Sequence, residues 1–353
     1  MLARLWWMAT LMAAASLCAA LLLAGGAQGT VRARDAAAGA QCSRTQQLAY
    51  VAANFSGEKG MVWFAAANGR QRRRLFRAAT PELSPDGRMV AVTEFGHSAG
   101  LGLFTVCGGR VGEYFSAHDA ISGIAWSPDS SLVAAVVDPH PNGSVFGQRL
   151  VVIDVATRQV TTVATGFLNG QGGPSFSPTP PYQLAYDIVR RPDGNPNVWS
   201  AAIDRPGVQL THRGYNQFPL WGPKGILYDH SLSSGASELE LISGGHSAKL
   251  MRLIGWPVAL SSDGVHLAAE GAACGVVWPL SVNLATRRVV HQFANGFAPF
   301  GISPSGGALL IAGSPPSGDC GGKRSVIETV PFGGGRPTKI AYGTSPSWAQ
   351  APR

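Results

Sequence analysis

The sequence predicts an all-β fold, a seven-bladed β-propeller of four-stranded blades, and three observations carry that reading. First, 45 glycines and 24 prolines in 353 residues argue against long helices, because each costs roughly 1 and 3 kcal/mol at an interior helical site. Second, 45% hydrophobic and only 14% charged residues are enough for a core and argue against disorder. Third, a short turn motif recurs along the chain at blade-like spacing.

The recurring unit is an apolar stretch ending in Ser-Pro-Asp-Gly or a decayed form of it. Its copies are Pro81-Glu82-Leu83-Ser84-Pro85-Asp86-Gly87, Ile124-Ala125-Trp126-Ser127-Pro128-Asp129-Ser130 and Pro174-Ser175-Phe176-Ser177-Pro178. Pro219-Leu220-Trp221-Gly222-Pro223-Lys224-Gly225, Val258-Ala259-Leu260-Ser261-Ser262-Asp263-Gly264 and Phe300-Gly301-Ile302-Ser303-Pro304-Ser305-Gly306 follow. A truncated copy, Pro346-Ser347-Trp348-Ala349, stands near the C-terminus. Measured from Ser84, successive copies lie 43, 50, 45, 39, 42 and 46 residues apart. In the tight turn Pro fixes φ and Gly accepts a positive one.

Each copy opens one period of the same plan. An apolar, β-branched run follows the turn: 89–92, 132–137, 183–186, 226–228, 266–269 and 309–312. A Gly/Pro/Ser-rich loop leads to a further strand such as 150–155, and a tight turn to another such as 159–163. Four strands per period make a blade with the motif strand innermost. No motif stands one period before Ser84, yet 48–52, 61–65 and 73–76 read as three strands. The orphan motif at Trp348 supplies their innermost partner, so a C-terminal strand closes the ring and leaves only short outer edges.

These residues resemble the TolB-type, WD-repeat-like β-propellers, whose hallmark is the Pro-x-aromatic-Ser-Pro-Asp-Gly strand preceded by a Leu-Thr…Gly-x-Asn loop. The best match is Leu210-Thr211-His212-Arg213-Gly214-Tyr215-Asn216-Gln217-Phe218-Pro219-Leu220-Trp221. The resemblance spans residues 45–349 and implies the propeller. It does not choose among the binding scaffolds and enzyme-associated domains of that family. TolB itself has an α/β domain ahead of its propeller, for which 30–44 leaves no room, so a place in the Tol system is not carried over.

Residues 1–29 read as a signal peptide: Arg4, an uncharged apolar stretch from Leu5 to Ala24, then Ala27-Gln28-Gly29 as a cleavage site. Retention as an uncleaved anchor is the alternative, since twenty apolar residues also span a bilayer. Residues 30–44 form a linker and 45–350 the propeller. An extracytoplasmic location follows: secreted, periplasmic or cell-surface. Four cysteines then remain, which an exported chain uses as two disulfides. Matching loop positions pair Cys274 with Cys320, and the opposite face pairs Cys42 with Cys107.

A net charge of +8 arises mostly from Arg70, Arg72, Arg73, Arg74 and Arg77. The cluster reads as a charged outer strand, with an anionic envelope surface as its other reading. Nucleic acid is not expected as a partner, because no recognised binding motif accompanies that charge.

Propeller loop geometry places His97, His118, His140, His212 and His230 on one face, with Asp119, Tyr215 and Asn216 beside them. These are the candidate binding residues. No G-x-S-x-G elbow or phosphate-cradling glycine loop is present, so no catalytic residue is assigned. The expected function is an exported, monomeric, non-enzymatic propeller that binds a protein or glycan through that loop face, without a cofactor. The alternative is a lyase-like, carbohydrate-active enzyme using a divalent metal on the same face.

Overall fold

The computed structural model describes residues 46–349 apart from 53–59, 94–99, 117, 140–146, 169–171, 191–193, 233–236, 274–275 and 314–324. Among the described residues there are 27 strands and no α-helix. The first are β1 (Leu48–Ala52), β2 (Gly60–Ala65), β3 (Arg73–Leu83), β4 (Met89–Thr93), β5 (Leu101–Thr105) and β6 (Arg110–Tyr114). Next come β7 (Ala120–Trp126), β8 (Leu132–Asp138), β9 (Gln148–Asp154), β10 (Val160–Leu168), β11 (Ser175–Phe176), β12 (Gln183–Val189), β13 (Asn197–Ala202) and β14 (Val208–Gln209).

Three separate four-stranded sheets follow. They are β15 (Tyr215–Gly222) to β18 (His246–Leu253) with β16 (Gly225–Ser231) and β17 (Ser237–Ser243) between, and β19 (Trp256–Leu260) to β22 (Arg288–Gln292) with β20 (His266–Ala273) and β21 (Val276–Asn283). The third holds β23 (Phe297–Ile302), β24 (Ala308–Gly313), β25 (Val326–Pro331) and β26 (Thr338–Tyr342); β27 (Thr344–Trp348) ends the chain's secondary structure.

Pairing is antiparallel throughout these sheets. The strand β27 does not extend the last sheet but pairs with β1, matching Leu48 to Trp348 and Ala49 to Ser347. Two strands serve two groups each. The first half of β3 pairs with β2, as in Gly60 with Ala78, and its second half with β4, as in Leu83 with Val90. Similarly, β10 pairs with β9 along most of its length and with β12 at Phe167 and Leu168. The sequence reading treats 73–76 and the motif at 81–83 as separate strands. They form one strand, bent at Thr80, where φ is 40°, a rare conformation for a β-branched residue.

The motif explains how each innermost strand turns back. Ser127 is fully buried; its hydroxyl accepts the Leu132 amide at 2.9 Å and donates to Asp129 Oδ1 at 2.7 Å. Ser84 repeats both contacts with Met89 and Asp86, at 2.9 and 2.6 Å. At Ser177, Ser261 and Ser303 the hydroxyl likewise accepts the first amide of the next strand. Gly87 closes its turn at φ 69°, with the Gln46 backbone where a Cβ would stand.

Apolar side chains pack between successive sheets. One cluster joins Ala91, Leu101 and Leu103 to Trp126, Val133 and Ile153; another joins Leu48 and Tyr50 of the first sheet to Leu310, Ile327 and Ile340 of the last. Facing sheets buried on both sides leave little room for charge, which is the structural origin of the low charged fraction.

Candidate functional site

At the loop end, where innermost strands begin and their neighbours finish, the Leu-Thr…Gly-x-Asn segment forms a buried polar network. Thr211 Oγ1 accepts the Val198 amide at 2.9 Å. Asn216, buried, donates from Nδ2 to the Arg213 carbonyl at 2.8 Å and accepts at Oδ1 from His230 Nδ1 at 2.8 Å. Gly214 has φ 80°, and the His230 ring occupies the place of its absent Cβ. Glycine is therefore required there for both conformation and space.

Two buried carboxylates stand nearby. Asp187 Oδ2 accepts the Phe218 amide at 2.9 Å, satisfying an N–H released by the bulge in β15. Burial pushes the Asp229 carboxyl up, opposed by hydrogen bonds from Ser231 and Ser237 and by His230. The Phe218 ring stacks on Trp256 with centroids 5.5 Å apart and planes 14° from parallel. Both rings are half-buried. Tyr215, at the start of the same strand as Phe218, is 43% exposed.

At the opposite end lies a cavity of about 250 Å³ lined by residues of β3, β7, β11, β15, β19, β23 and β27. Its walls include Trp126, Phe176, Trp221, Phe300 and Trp348. The prolines Pro85, Pro128 and Pro178 of the motif turns also line it. Glu82 is its one ionisable lining residue. Burial pushes the Glu82 carboxyl up to about 7, against a hydrogen bond from Ser347. The Ser347 hydroxyl also accepts the Leu83 amide at 2.9 Å, and Trp126 Nε1 donates to the Glu82 carbonyl at 3.0 Å. These contacts tie neighbouring innermost strands together around the carboxyl.

No family model matches this sequence, and no curated protein matches it. Solved structures do. TolB from Acinetobacter baumannii aligns over 86% of this chain and 82% of its own, with TM-score 0.55 and 17% identity. An oligogalacturonate lyase from Vibrio parahaemolyticus aligns over 76% and 87%, with TM-score 0.55 and 10% identity. A puromycin-hydrolyzing peptidase from Mycobacterium tuberculosis aligns over 84% of this chain and 54% of its own, with TM-score 0.61 and 16% identity. This chain thus spans about half the length of that peptidase. It folds as a TolB-like β-propeller.

Within this propeller the expected site residues have different surroundings. His118 is exposed in the turn before β7, with its amide donating to Ser116 Oγ at 3.1 Å. Asp119 Oδ2 accepts the Ser116 amide at 2.7 Å and so shapes that turn. His212 is exposed beside the buried Thr211. Asn216 and His230 are brought together by their hydrogen bond. His97 and His140 lie outside the described residues, as do Cys42, Cys274 and Cys320. Cys107, in the turn before β6, is disulfide-bonded, and every other cysteine lies outside the described residues. Among the described residues, no three His, Cys, Asp or Glu side chains come together as a metal-ligand group.

Sequence reasoning missed Glu82 as a functional candidate, although a signal was present. Two residues before the motif Ser, the seven copies read Glu82, Ala125, Ser175, Leu220, Ala259, Gly301 and Ser347. One acidic residue interrupts a column of small or apolar ones. Phe218 and Trp256 carried no such signal, because a bulge aligns them.

Proposed function

We propose that this chain is an extracytoplasmic, non-enzymatic binding propeller of seven four-stranded blades, closed by β27, that holds a protein or glycan partner on its loop face as a monomer. The apolar stretch from Leu5 to Ala24 supports export. Pairing of β27 with β1 and the packing of Leu48 and Tyr50 on Leu310 and Ile327 support the closed ring. The stacked Phe218–Trp256 pair at the loop end, with exposed Tyr215 on the same strand, carries the binding reading. Half-exposed aromatic rings give large contact area at little entropic cost and suit sugar faces as well as protein side chains.

The test is an array of neutral and acidic oligosaccharides and envelope protein domains, probed with the purified chain and with Tyr215→Ala. A ligand whose Kd rises at least about tenfold in the variant supports the loop face. Ligands bound equally by both chains would remove it.

A second reading, a metal-dependent carbohydrate-active enzyme, draws on the likeness to the oligogalacturonate lyase. Elemental analysis separates the two. Stoichiometric Mn, Ca or Zn, lost in His140→Ala and His230→Ala, would replace the binding reading with this one.

A further inference from the structure

The cavity at the motif-turn end is a second site, separate from the loop face. Its lining side chains include Trp126, Trp221, Phe300 and Trp348 beside Ser175, Ser261 and Glu82, with glycine and proline backbone between them. An acid placed there is costly, because a carboxylate taken from water needs a compensating charge or several donors. Glu82 has one side-chain donor, Ser347, and forms no ion pair among those of the described residues. The equivalent residues of the other innermost strands place no second charge in the cavity. Closing the ring did not require an acid at this position, since six equivalent positions manage without one.

We propose that this cavity binds a small organic ammonium ion, with the Glu82 carboxylate as its counter-charge and Trp126, Trp221, Phe300 and Trp348 as its walls. Three features select that class. A single carboxylate rejects anions. Hard metal ions such as Ca²⁺ take six to eight oxygen ligands, and the side chains lining this cavity supply one carboxylate and two hydroxyls. Alkylated ammonium ions are weakly hydrated and are attracted to aromatic rings. A neutral apolar ligand would gain nothing from the acid.

The proton on Glu82 adds a pH dependence with a definite sign. With its carboxyl near 7 and no other titratable group lining the cavity, ionisation proceeds as pH rises through neutrality. Cation binding strengthens in the same direction.

Calorimetric titration of the full chain with choline, and with its neutral isostere 3,3-dimethylbutan-1-ol, tests the proposal. Choline is expected to bind at one site, at least about tenfold tighter than the alcohol. Glu82→Gln should weaken choline at least about tenfold and leave the alcohol unchanged. Lowering pH from 8 to 5.5 should weaken choline at least about fivefold in the parent chain and not in the variant. Equal affinity for alcohol and choline, an unaffected Glu82→Gln chain, or no saturable choline binding up to about 10 mM would each overturn it. If Glu82→Gln does not unfold cooperatively, Phe300→Ala gives the second reading. Phe300 is 42% exposed at the cavity wall, so its loss should weaken choline at least about threefold, and unchanged affinity overturns the site.

Discussion

Glu82 lines the cavity at the motif-turn end, where burial opposes its charged form, and stability must respond to that placement. Its folded pKa, near 7, lies above the 4.5 of an unperturbed glutamate. Between those values the folded chain holds a proton that the unfolded chain has released, so stability falls as pH rises through this window. Glu82→Gln removes the dependence. Without ligand, the variant should match the parent below pH 4 and exceed it above pH 7 by up to roughly 3 kcal/mol. Urea unfolding at a series of pH values measures this. A stability difference that does not change with pH would show that Glu82 is solvated in the folded chain. The residue was visible as an exception in the motif column, but the repeat drew attention to what its copies share. Asn216 and His230 show the converse. The sequence placed both on the loop face, but their pairing at 2.8 Å arises from packing that the sequence does not state.

The motif turn is the element that repeats most faithfully, because one hydroxyl meets two needs there. Ser127 accepts the Leu132 amide and donates to Asp129, whose carboxyl is held below its ordinary range by hydrogen bonds from Ser127 and Ser131 that outweigh burial. Ser127→Ala leaves an N–H without its acceptor beside a fully buried site. It should cost about 1–3 kcal/mol, read as a lower urea midpoint with an unchanged m-value. A loss below about 0.5 kcal/mol would mean that water replaces the hydroxyl. The turn and its strands were legible in sequence because Ser, Pro, Asp and Gly each have a local mechanism. Continuity of β3 was not legible. Ala78 and Ala79 carry little strand signal, and β3 pairs with β2 by its first half and with β4 by its second, on either side of the bend at Thr80.

Across the whole molecule, β1 and β27 bring the two ends of the described chain together in one strand pair. Ser347 lends its hydroxyl to Leu83 and to the Glu82 carboxyl, while Trp348 faces Leu48 across the strand pair. One five-residue strand therefore joins the first sheet, the second innermost strand and the cavity wall. Its place was legible from an orphan motif and three motif-less strands, a counting argument that needs no side-chain detail. Its role in lining the cavity was not, because which strands share a cavity is a property of the assembled sheets. Truncation after Gly343 should expose the edge of β1 and uncover Leu48 and Tyr50. Such an edge invites pairing with other chains. The shortened chain should unfold at lower urea, in a broadened transition with a reduced m-value, and associate in a concentration-dependent way seen by light scattering. Adding the segment 344–353 back as a peptide should restore a single sharp transition. A truncated chain that unfolds as sharply, and at the same urea concentration, as the parent would show that the fold does not depend on the pairing of β27 with β1.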